Sequence, residues 1–408
     1  PTLPSSLLTS QALSALSAPA ARPRLPASSK GLGYITPCIR DSYGTPCFPL
    51  FSQQSYGGIS RYYNRLATEL LKLEQDVAIF AGAHRNNYLS NLPNGVVKGR
   101  KFAKYPPKTA KLFQFANHYW SNYQLSVWKP QVIHETYYSI VPFASKRIPR
   151  IITALDMIHE LFSGMFNKND PVTQRKKNAF KRADHIISIS HSTKKDLIEL
   201  FDISSEKISV IHLATDNVSM INQYHSDTKY SRPFLLYVGP RAGYKNFVGF
   251  LKAVSQSQKL INEVDIVAFG GGHFLSEELI KIKSFGFKEG QVKQIGGDDS
   301  VLISLYQEAL AFVYPSLYEG FGIPPLEAMA FLCPVISSNT SSMPEVIGDA
   351  GEYFDPKVIE SIILAIENVV FSPNCIQDLK AKGLERIKDF SWQKCAQETL
   401  KVYEKIVN

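Results

Sequence analysis

The sequence lacks the features by which several protein classes are known. Its five cysteines are scattered and form no CxxC pair, which argues against a disulfide scaffold and a thiolate zinc site. No stretch reaches the roughly 18 uninterrupted apolar residues that a membrane-spanning helix needs. We therefore expect neither a disulfide-rich secreted protein nor an integral membrane protein, and a reducing compartment, the cytoplasm, fits best.

Acidic residues are also missing from the start of the chain, since none precedes Asp41. Residues 1–30 are instead rich in Ser, Ala and Pro, a composition typical of organelle transit segments and of linkers. The alternatives are a transit segment, a linker from a longer chain or a cloning remnant, and the last two suit the composition better. In each case we expect residues 1–30 to lie outside the folded domains.

What the chain does have is an ordinary globular composition. Hydrophobic residues make up 44% and charged residues 20% of its 408 positions, and this length predicts two or three domains. Lysine and arginine number 45 against 36 acidic residues, so the net charge is +9. This excess suits phosphorylated small molecules or an acidic membrane surface, and it is too small to indicate nucleic-acid binding.

Apolar runs that alternate with amphipathic segments predict two parallel sheets. Runs typical of strands buried on both faces lie at 77–80, 151–155, 185–189, 208–211, 234–238, 264–269, 311–314 and 334–337. Helical patterns lie at 60–73, 192–201, 246–258, 276–285, 300–309 and 324–332, and Ser192 or Thr193 is placed to cap the second. A polar stretch over 217–232 separates the two series. The fold class is therefore α/β, with doubly wound Rossmann-like domains over 31–228 and 229–390.

Ligands of doubly wound sheets bind beyond the carboxyl ends of the strands. The loops after Val238 and Tyr314, at a cleft between the two domains, are therefore where we expect a binding site. The first loop contains Arg241 and Lys245, whose side chains could neutralise a pyrophosphate. The alternative for either residue alone is a solvated basic turn.

The loop after the second of these strands contains Gly320 and Gly322 and leads into a helix that opens with two prolines. Glycines let bare backbone approach a ligand, and a helix N-terminus attracts anions. Glu319 and Glu327 add carboxylates that accept hydrogen bonds from sugar or ribose hydroxyls. The alternative is a capped helix with an acidic first turn. Cations for a diphosphate and carboxylates for hydroxyls together predict a nucleotide-sugar site.

With these residues the chain resembles the retaining glycosyltransferases of family 4, which have the GT-B architecture of two Rossmann-like domains facing across a cleft. Arg241 and Lys245, followed by two glutamates seven residues apart, match the signature of that family. The resemblance extends from about Phe51 to the C-terminus and includes YGGISRY at 56–62, SISHSTK at 188–194 and CPVISSNTSSMPE at 333–345. It implies that a last helix over 391–408 crosses back to the first domain.

The resemblance also implies roles for individual residues. Arg241 and Lys245 would bind the donor diphosphate, and Gly57 and Gly58 would let a loop of the first domain close over it. Glu327 would bind the ribose. The transferred sugar would be held by Glu319, Gly320, Phe321, Gly322 and Ile323.

In the family a His-Asp pair often ends the strand that corresponds to 151–155. Here Leu155 stands at the histidine position, Asp156 matches the aspartate and His159 is offset. For His159 the alternative to a catalytic role is a packed histidine at a helix start. The candidate catalytic residues are therefore Glu319, Arg241, Lys245, Asp156 and His159.

A cationic clamp on a departing diphosphate suggests front-face substitution through an oxocarbenium-like state, in which the leaving phosphate takes the proton of the acceptor. Glycosidases use a carboxylate nucleophile and need no such clamp. No Asp-x-Asp follows an apolar strand, so we expect neither a metal nor another cofactor.

By resemblance we expect a retaining hexosyltransferase, with mannose from GDP-mannose as the first choice of donor. The acceptor would be a polysaccharide or a lipid-linked glycan. The alternatives are a sugar-nucleotide epimerase on the same architecture and a non-catalytic subunit that binds nucleotide sugars.

A basic run over 98–111 precedes the aromatic residues Phe113, Phe115, Tyr119 and Trp120. It would dock on anionic lipid near a lipid-linked acceptor, which would place the protein at the inner face of a membrane. The alternative is a solvated loop that leads into a core-facing aromatic helix, which is the more common outcome.

Overall fold

The computed structural model describes residues 57–106, 108–138, 148–167, 169–216, 230–241 and 243–407, together with the backbone of 33–37. The expectation for residues 1–30 falls outside these described residues, as does most of the polar stretch expected to separate the domains. Two parallel sheets organise the described chain, which confirms the expected α/β class.

The N-terminal sheet consists of β1 Gly33–Pro37, β2 Asp76–His84, β3 Val97–Lys101, β4 Val132–Glu135, β5 Arg150–Ala154, β6 His185–Ser188 and β7 Ile208–Val210. Its strand order is β3-β2-β1-β4-β5-β6-β7. The α-helices in this part are α1 Gly58–Lys72, α2 Ala110–Trp128, α3 Ile158–Leu161, α4 Val172–Arg182 and α5 His191–Phe201. The order reverses direction between β1 and β4, which makes that point the topological switch.

The C-terminal sheet repeats this arrangement. Its strands are β8 Phe234–Val238, β9 Asp265–Phe269, β10 Val292–Ile295, β11 Ala311–Tyr314, β12 Val335–Ser338 and β13 Gly351–Phe354, in the order β10-β9-β8-β11-β12-β13. The helices are α6 Phe247–Gln256, α7 Gln258–Glu263, α8 Ser276–Ser284, α9 Asp299–Glu308, α10 Ile323–Ala330, α11 Met343–Ile347, α12 Ile359–Val370, α13 Pro373–Arg386 and α14 Trp392–Val407. Here the switch lies between β8 and β11.

The strands expected from apolar runs are confirmed because the sheets are covered on both faces. Every residue of β5, β6, β11 and β12 is buried. The structure adds β1, β3, β4, β10 and β13. Three of these additional strands, β3, β10 and β13, lie at sheet edges, where one side is open and no continuous apolar run is needed.

The strand β4 shows no continuous apolar run for a different reason, because it buries two polar side chains. Both ring nitrogens of His134 are hydrogen-bonded: Nδ1 lies 2.6 Å from the Tyr403 hydroxyl and Nε2 lies 2.8 Å from the Thr153 hydroxyl. Glu135 is paired with Arg150 and Arg182. Buried polar groups are tolerated when they are satisfied in this way.

The expected cap of α5 is wrong by two residues or more. The helix begins at His191, and its N-cap is Ser190, whose Oγ accepts a hydrogen bond from the Thr193 backbone N–H at 3.0 Å. Ser192 and Thr193 lie inside the first turn. Ser190 has the extended backbone that an N-cap needs, which the sequence pattern does not reveal.

The last helix, α14, packs against α1 of the N-terminal part. The rings of Trp392 and Tyr62 lie 6.2 Å apart, and the Tyr403 hydroxyl meets His134 of β4. Among the described residues no single helix is long and apolar enough to cross a membrane. The segments Ile359–Val370 and Pro373–Val407, bent by 92° at their junction, meet that criterion only when taken together.

Candidate active site

A pocket of about 350 Å³ lies where the carboxyl ends of strands from both sheets meet. This volume is within the range of small-molecule sites. The N-terminal part contributes Gly58, Arg61 and Asp156 to its lining, and the C-terminal part contributes Lys245, Glu319 and Glu327. The structure therefore brings most of the expected site residues together.

A buried ion pair forms the centre of the C-terminal wall. The Lys245 Nζ lies 2.6 Å from Glu319 Oε1, and the two side chains are 14% and 11% exposed. Tyr314, at the end of β11, places its ring 5.6 Å from the same ammonium. Burial, and then the nearby Glu319 carboxylate, raises the pKa of Tyr314 well above its ordinary value, so the phenol remains neutral. A ligand that enters here meets one cation and one acceptor side by side.

The loop that carries Glu319 fits against the N-terminal part so closely that only glycine is tolerated at position 320. A Cβ on Gly320 would lie 1.8 Å from the carbonyl oxygen of Leu155. The Gly320 carbonyl in turn accepts a hydrogen bond from Ser190 Oγ at 2.7 Å. Phe321 is buried, and Gly322 serves as the N-cap of α10 with φ of 114°, a conformation that favours glycine.

Glu327 is held by Arg61, a residue that the sequence analysis did not single out. Arg61 Nη1 lies 2.8 Å from Glu327 Oε1, and its Nη2 lies 2.7 Å from Asp216 Oδ2. Arg65 and the indole N–H of Trp392 also contact Asp216. This network joins α1, the end of the N-terminal part, α10 and α14.

A signal for Arg61 does exist in the sequence. It stands in the YGGISRY stretch, four residues into a helix, where the dipole disfavours a positive charge. Such a charge needs acidic partners from elsewhere in the fold. The sequence does not reveal which acids these are, because Glu327 lies 266 positions away.

The pKa values of the two carboxyls shift in opposite directions. Burial raises the pKa of Glu327, and the contacts with Arg61 only partly offset it. Burial alone would also raise the pKa of Asp216, but the charges and hydrogen bonds of Arg61 and Arg65 outweigh it and lower the pKa. Of the two carboxyl partners of Arg61, Asp216 is therefore the more firmly ionised.

Arg241 is not among the residues that line this pocket, whereas Lys245 is. Its side chain is only 3% exposed, and Nε lies 2.7 Å from Glu278 Oε1. The other guanidinium nitrogens bond the carbonyls of Gly270 at 2.9 Å and His273 at 3.0 Å. The guanidinium thus fixes the glycine turn after β9, where three consecutive glycines have positive φ. A direct contact between Arg241 and a diphosphate stays a prediction.

His159 is also placed outside the pocket. Its ring stacks on Phe166 at 4.1 Å between centroids, and Nε2 lies 3.7 Å from Asp170 Oδ2. Burial and the nearby Lys176 ammonium lower its pKa. The structure therefore favours the packed histidine over a catalytic one.

Asp156, by contrast, does line the pocket. Its Oδ1 lies 3.2 Å from the buried Nζ of Lys176 and accepts a hydrogen bond from the Ile158 N–H at 3.1 Å. These contacts fix the carboxylate at the end of β5, facing the Glu319 loop.

The two expected glycines lie at the start of α1. Gly57 is its N-cap and Gly58 its first residue, and a Cβ at Gly58 would meet nothing within 4 Å. This helix terminus borders the pocket, because Gly58 is one of its lining residues. That arrangement can bind an anion.

A second polar contact between the two parts involves potential metal ligands. His191, His212 and Glu345 offer ligand atoms within 4.8 Å of one another. The Glu345 carboxylate already accepts hydrogen bonds from His212 Nε2 at 2.6 Å and from the His191 backbone N–H at 2.8 Å. It therefore acts in this structure as a cross-domain cap of α5.

Comparisons with known proteins agree with this geometry. A model described as "Glycosyltransferase Family 4" matches residues 56–217, and one described as "Glycosyl transferases group 1" matches residues 223–386. Together the two matches span most of the chain.

Two curated relatives are mannosyltransferases by name. The O-antigen chain mannosyltransferase B of Escherichia coli is 28% identical over 273 residues, or 63% of this chain and 71% of that protein. The serotype-specific mannosyltransferase WbdA of Escherichia coli is 30% identical over 240 residues, or 56% of this chain. The chain spans only 29% of the length of WbdA.

Among solved structures, a sucrose-phosphate synthase from Thermosynechococcus elongatus matches with a TM-score of 0.69 at 18% identity. The match covers 92% of this chain and 99% of the other, and at this identity it shows the fold alone. With the two family models, the two facing sheets and the pocket between them, the chain belongs to the GT-B glycosyltransferases of family 4.

Proposed function

We propose that this glycosyltransferase is a retaining mannosyltransferase that uses GDP-mannose and acts on a hydroxyl of a polysaccharide or lipid-linked glycan. The observation that supports it is the sheltered Lys245–Glu319 pair, which sets a cation and a carboxylate side by side at the switch point of the C-terminal sheet. The choice of mannose follows from the names of the relatives, one of which belongs to O-antigen chains.

In the proposed complex Lys245 and Glu319 exchange their contact with each other for contacts with the donor. Lys245 turns from Glu319 to the diphosphate, and Glu319 accepts hydrogen bonds from the sugar hydroxyls. The N-terminus of α1 at Gly58, which lines the pocket, receives phosphate oxygens. Glu327 binds the ribose through Oε2, which in the free protein makes only a long contact of 3.5 Å with the Tyr306 hydroxyl.

The proposed reaction is a front-face substitution. The bond between the anomeric carbon and the phosphate oxygen breaks, and the acceptor oxygen bonds to the same carbon on the same face. The acceptor proton passes to the departing diphosphate, so no side chain has to act as nucleophile. Lys245 stabilises the charge that develops on the leaving group, an electrostatic effect that contributes most in many enzymes.

Two further residues have supporting roles in the proposed step. Asp156, fixed by Lys176, is placed to accept a hydrogen bond from the acceptor or the transferred sugar. Arg241 acts as a positioning residue through the glycine turn that it holds. We also propose that no metal takes part, since Lys245 and the helix termini supply the positive charge, and that the enzyme works at the cytoplasmic face of a membrane.

The experiment is a thermal-shift screen followed by a transfer assay. GDP and GDP-mannose should raise the melting temperature, whereas UDP, dTDP and ADP and their sugars should not. A ligand at a hundred times its Kd stabilises a fold by about 2.7 kcal/mol, which such a screen detects. The linkage formed on a synthetic mannoside acceptor is then read by NMR, and an α-linked product from the α-linked donor establishes retention.

Each of the other outcomes would contradict a different part of the proposal. A β-linked product would refute the retaining mechanism. Conversion of the donor into another sugar nucleotide, with no glycan product, would identify an epimerase. Donor binding without turnover on any acceptor would identify a binding subunit. Stabilisation by UDP alone would leave a hexosyltransferase but remove mannose from GDP-mannose as the donor.

A further inference from the structure

The net positive charge of the chain comes almost entirely from one segment of the N-terminal part. Between Asp76 and Glu135 there is no acidic residue, whereas the same 58 positions contain eight lysines and arginines. The net charge of the whole chain is +9, so the rest of the sequence is almost neutral. An anionic partner would therefore be attracted to this segment above all others.

The helix in this segment, α2, exposes an apolar stripe on the side that faces away from the sheet. Its sheet-facing side buries Leu125 and packs Trp120 and Trp128 against Phe80, and it also buries Asn117, which bonds the backbone N–H and carbonyl of Ala83 in β2 at 2.7 and 2.9 Å. The outward stripe is formed by Leu112, Phe115, Tyr119, Tyr123 and Val127, which are 66%, 47%, 56%, 64% and 61% exposed. A solvent-facing helix normally places polar residues there. The expected core-facing aromatic helix is therefore wrong for Phe115 and Tyr119.

The stripe and the basic residues adjoin each other. The stripe residues recur about every four positions and therefore form one continuous line along α2. The chain that leads from β3 into this helix carries four exposed cations: Arg100, Lys101, Lys104 and Lys108. A line of apolar and tyrosine side chains with cations near one end is the pattern of a helix that lies in a membrane interface.

We propose that the outer face of α2, together with the cations of the β3–α2 connection, docks on the surface of an anionic lipid bilayer. The stripe enters the headgroup region, and the cations pair with lipid phosphates. A second copy of this chain fits this face less well, because two such segments would bring sixteen like charges together. A nucleic acid would leave the apolar stripe exposed.

The topology places the docking surface at the same edge of the N-terminal sheet as the pocket. In a parallel sheet a crossover helix begins at the carboxyl edge of the strands, so the β3–α2 connection lies at the same edge as the pocket. A bilayer held there faces the side from which a lipid-linked acceptor would reach Asp156 and Gly58. The docking itself does not depend on the proposed transfer.

The experiment is co-sedimentation of the full chain with vesicles of phosphatidylcholine alone or of phosphatidylcholine with phosphatidylglycerol. One variant combines F115S, Y119S and Y123S, and a second combines R100E, K104E and K108E. The matched control combines L279S and I280S in α8, two residues that are 52% and 69% exposed. Melting temperatures check that each variant folds, and donor hydrolysis in the absence of vesicles should be unchanged in all of them.

The wild type and the control should bind the anionic vesicles and release them in high salt. Each cation near an anionic surface strengthens binding by about fivefold, so the variant that replaces three of them with glutamate should bind at least about 10²-fold more weakly. The serine variant should lose binding as well. The proposal would be overturned if the wild type did not bind the vesicles. It would also be overturned if binding did not change with the charge of the lipid or with either variant. Self-association that the serine variant abolishes would assign the face to a second copy instead. Because the assay contains neither donor nor acceptor, its failure would leave the proposed function untouched.

Discussion

The two sheets each place a crossover helix at the same point of their topology, but the two helices differ in what they leave exposed. α2 leads from the edge strand β3 to β4, and α9 leads from the edge strand β10 to β11. α9 starts with the cap Asp298 and buries Ile303, Leu305 and Tyr306. α2 buries Asn117 beside Leu125 and exposes Phe115, Tyr119 and Tyr123. Topology thus determines where such a helix runs, and the sequence determines which face it turns to the sheet.

The same contrast applies to the strand ends. The C-terminal part places Lys245 and Glu319 beside each other at its switch point, whereas the described N-terminal wall of the pocket offers mainly apolar side chains, with Arg61 and Asp156. One half therefore holds the ion pair that we propose binds the donor. The other half supplies contacts with the partner domain and, by our inference, with lipid.

The largest effect that this contrast predicts is at Lys245. In K245A the diphosphate loses its cation, and removal of one such stabilising group lowers kcat by about 10²-fold or more. The matched control is K252A on the exposed side of α6, which should keep wild-type kcat. Steady-state kinetics with the donor in excess decide the matter. Wild-type turnover by K245A would place the reactive charge elsewhere, and the contrast between the two halves would fail.

The next effect concerns the contact between the halves through Arg61. R61M leaves the carboxylate of Glu327 without its cation in a buried position, and we expect a loss of about 2 kcal/mol in the free energy of unfolding. The double variant R61M/E327Q removes both charges and should recover part of that loss. Urea unfolding of the four proteins of this cycle measures the coupling. Additive losses would show that the two halves are held together by other contacts.

A smaller, pH-dependent effect is expected where the last helix meets the N-terminal sheet. Burial lowers the pKa of His134 from 6.5 to about 3, so the folded protein resists protonation that the unfolded chain accepts. Its contribution to stability is complete above pH 6.5 and is lost as the pH falls toward 3. Between pH 7 and pH 5.5 the wild type should lose about 1 kcal/mol through this group, and H134Q should not.

Urea midpoints of both proteins at the two pH values test this prediction. The control H273Q changes an exposed histidine and should retain the pH dependence of the wild type. Equal pH dependence in H134Q and the wild type would mean that His134 does not report on the interface between the halves.

The smallest expected effect is that of metal removal. Treatment with EDTA followed by dialysis should leave the transfer rate unchanged, because Lys245 supplies the positive charge at the leaving group. The variant E345Q, which disturbs the cluster of His191 and His212, should respond to EDTA in the same way as the wild type. If EDTA abolished activity and Mn²⁺ restored it, a metal ion would also stabilise the charge on the leaving group.

The fold could be predicted from the sequence wherever a strand is buried on both faces. Runs such as Phe234–Val238 and Ala311–Tyr314 read as strands because burial on two sides demands continuous apolar residues. Val97–Lys101 could not be predicted in this way, since an edge strand makes its hydrogen bonds on one side and can carry Lys and Arg outward.

The site could be predicted where its chemistry is local and not where it depends on distant partners. Glu319 and the glycines beside it lie in one loop, and the structure places them in the pocket. Arg241 reads equally well as a phosphate ligand or as the partner of an acid, and its pairing with Glu278, 37 residues away, is not visible in the sequence pattern. Arg61 was missed for the same reason, because its meaning depends on Asp216 and Glu327.

The contact at Gly320 has a consequence for how this enzyme can vary. The neighbour that forbids a side chain there is the carbonyl oxygen of Leu155, which every amino acid possesses. This backbone contact does not depend on the side chain at position 155, whereas it requires glycine at position 320. A leucine can therefore stand where the family often has a histidine, and the Glu319 loop keeps its contact with the N-terminal part.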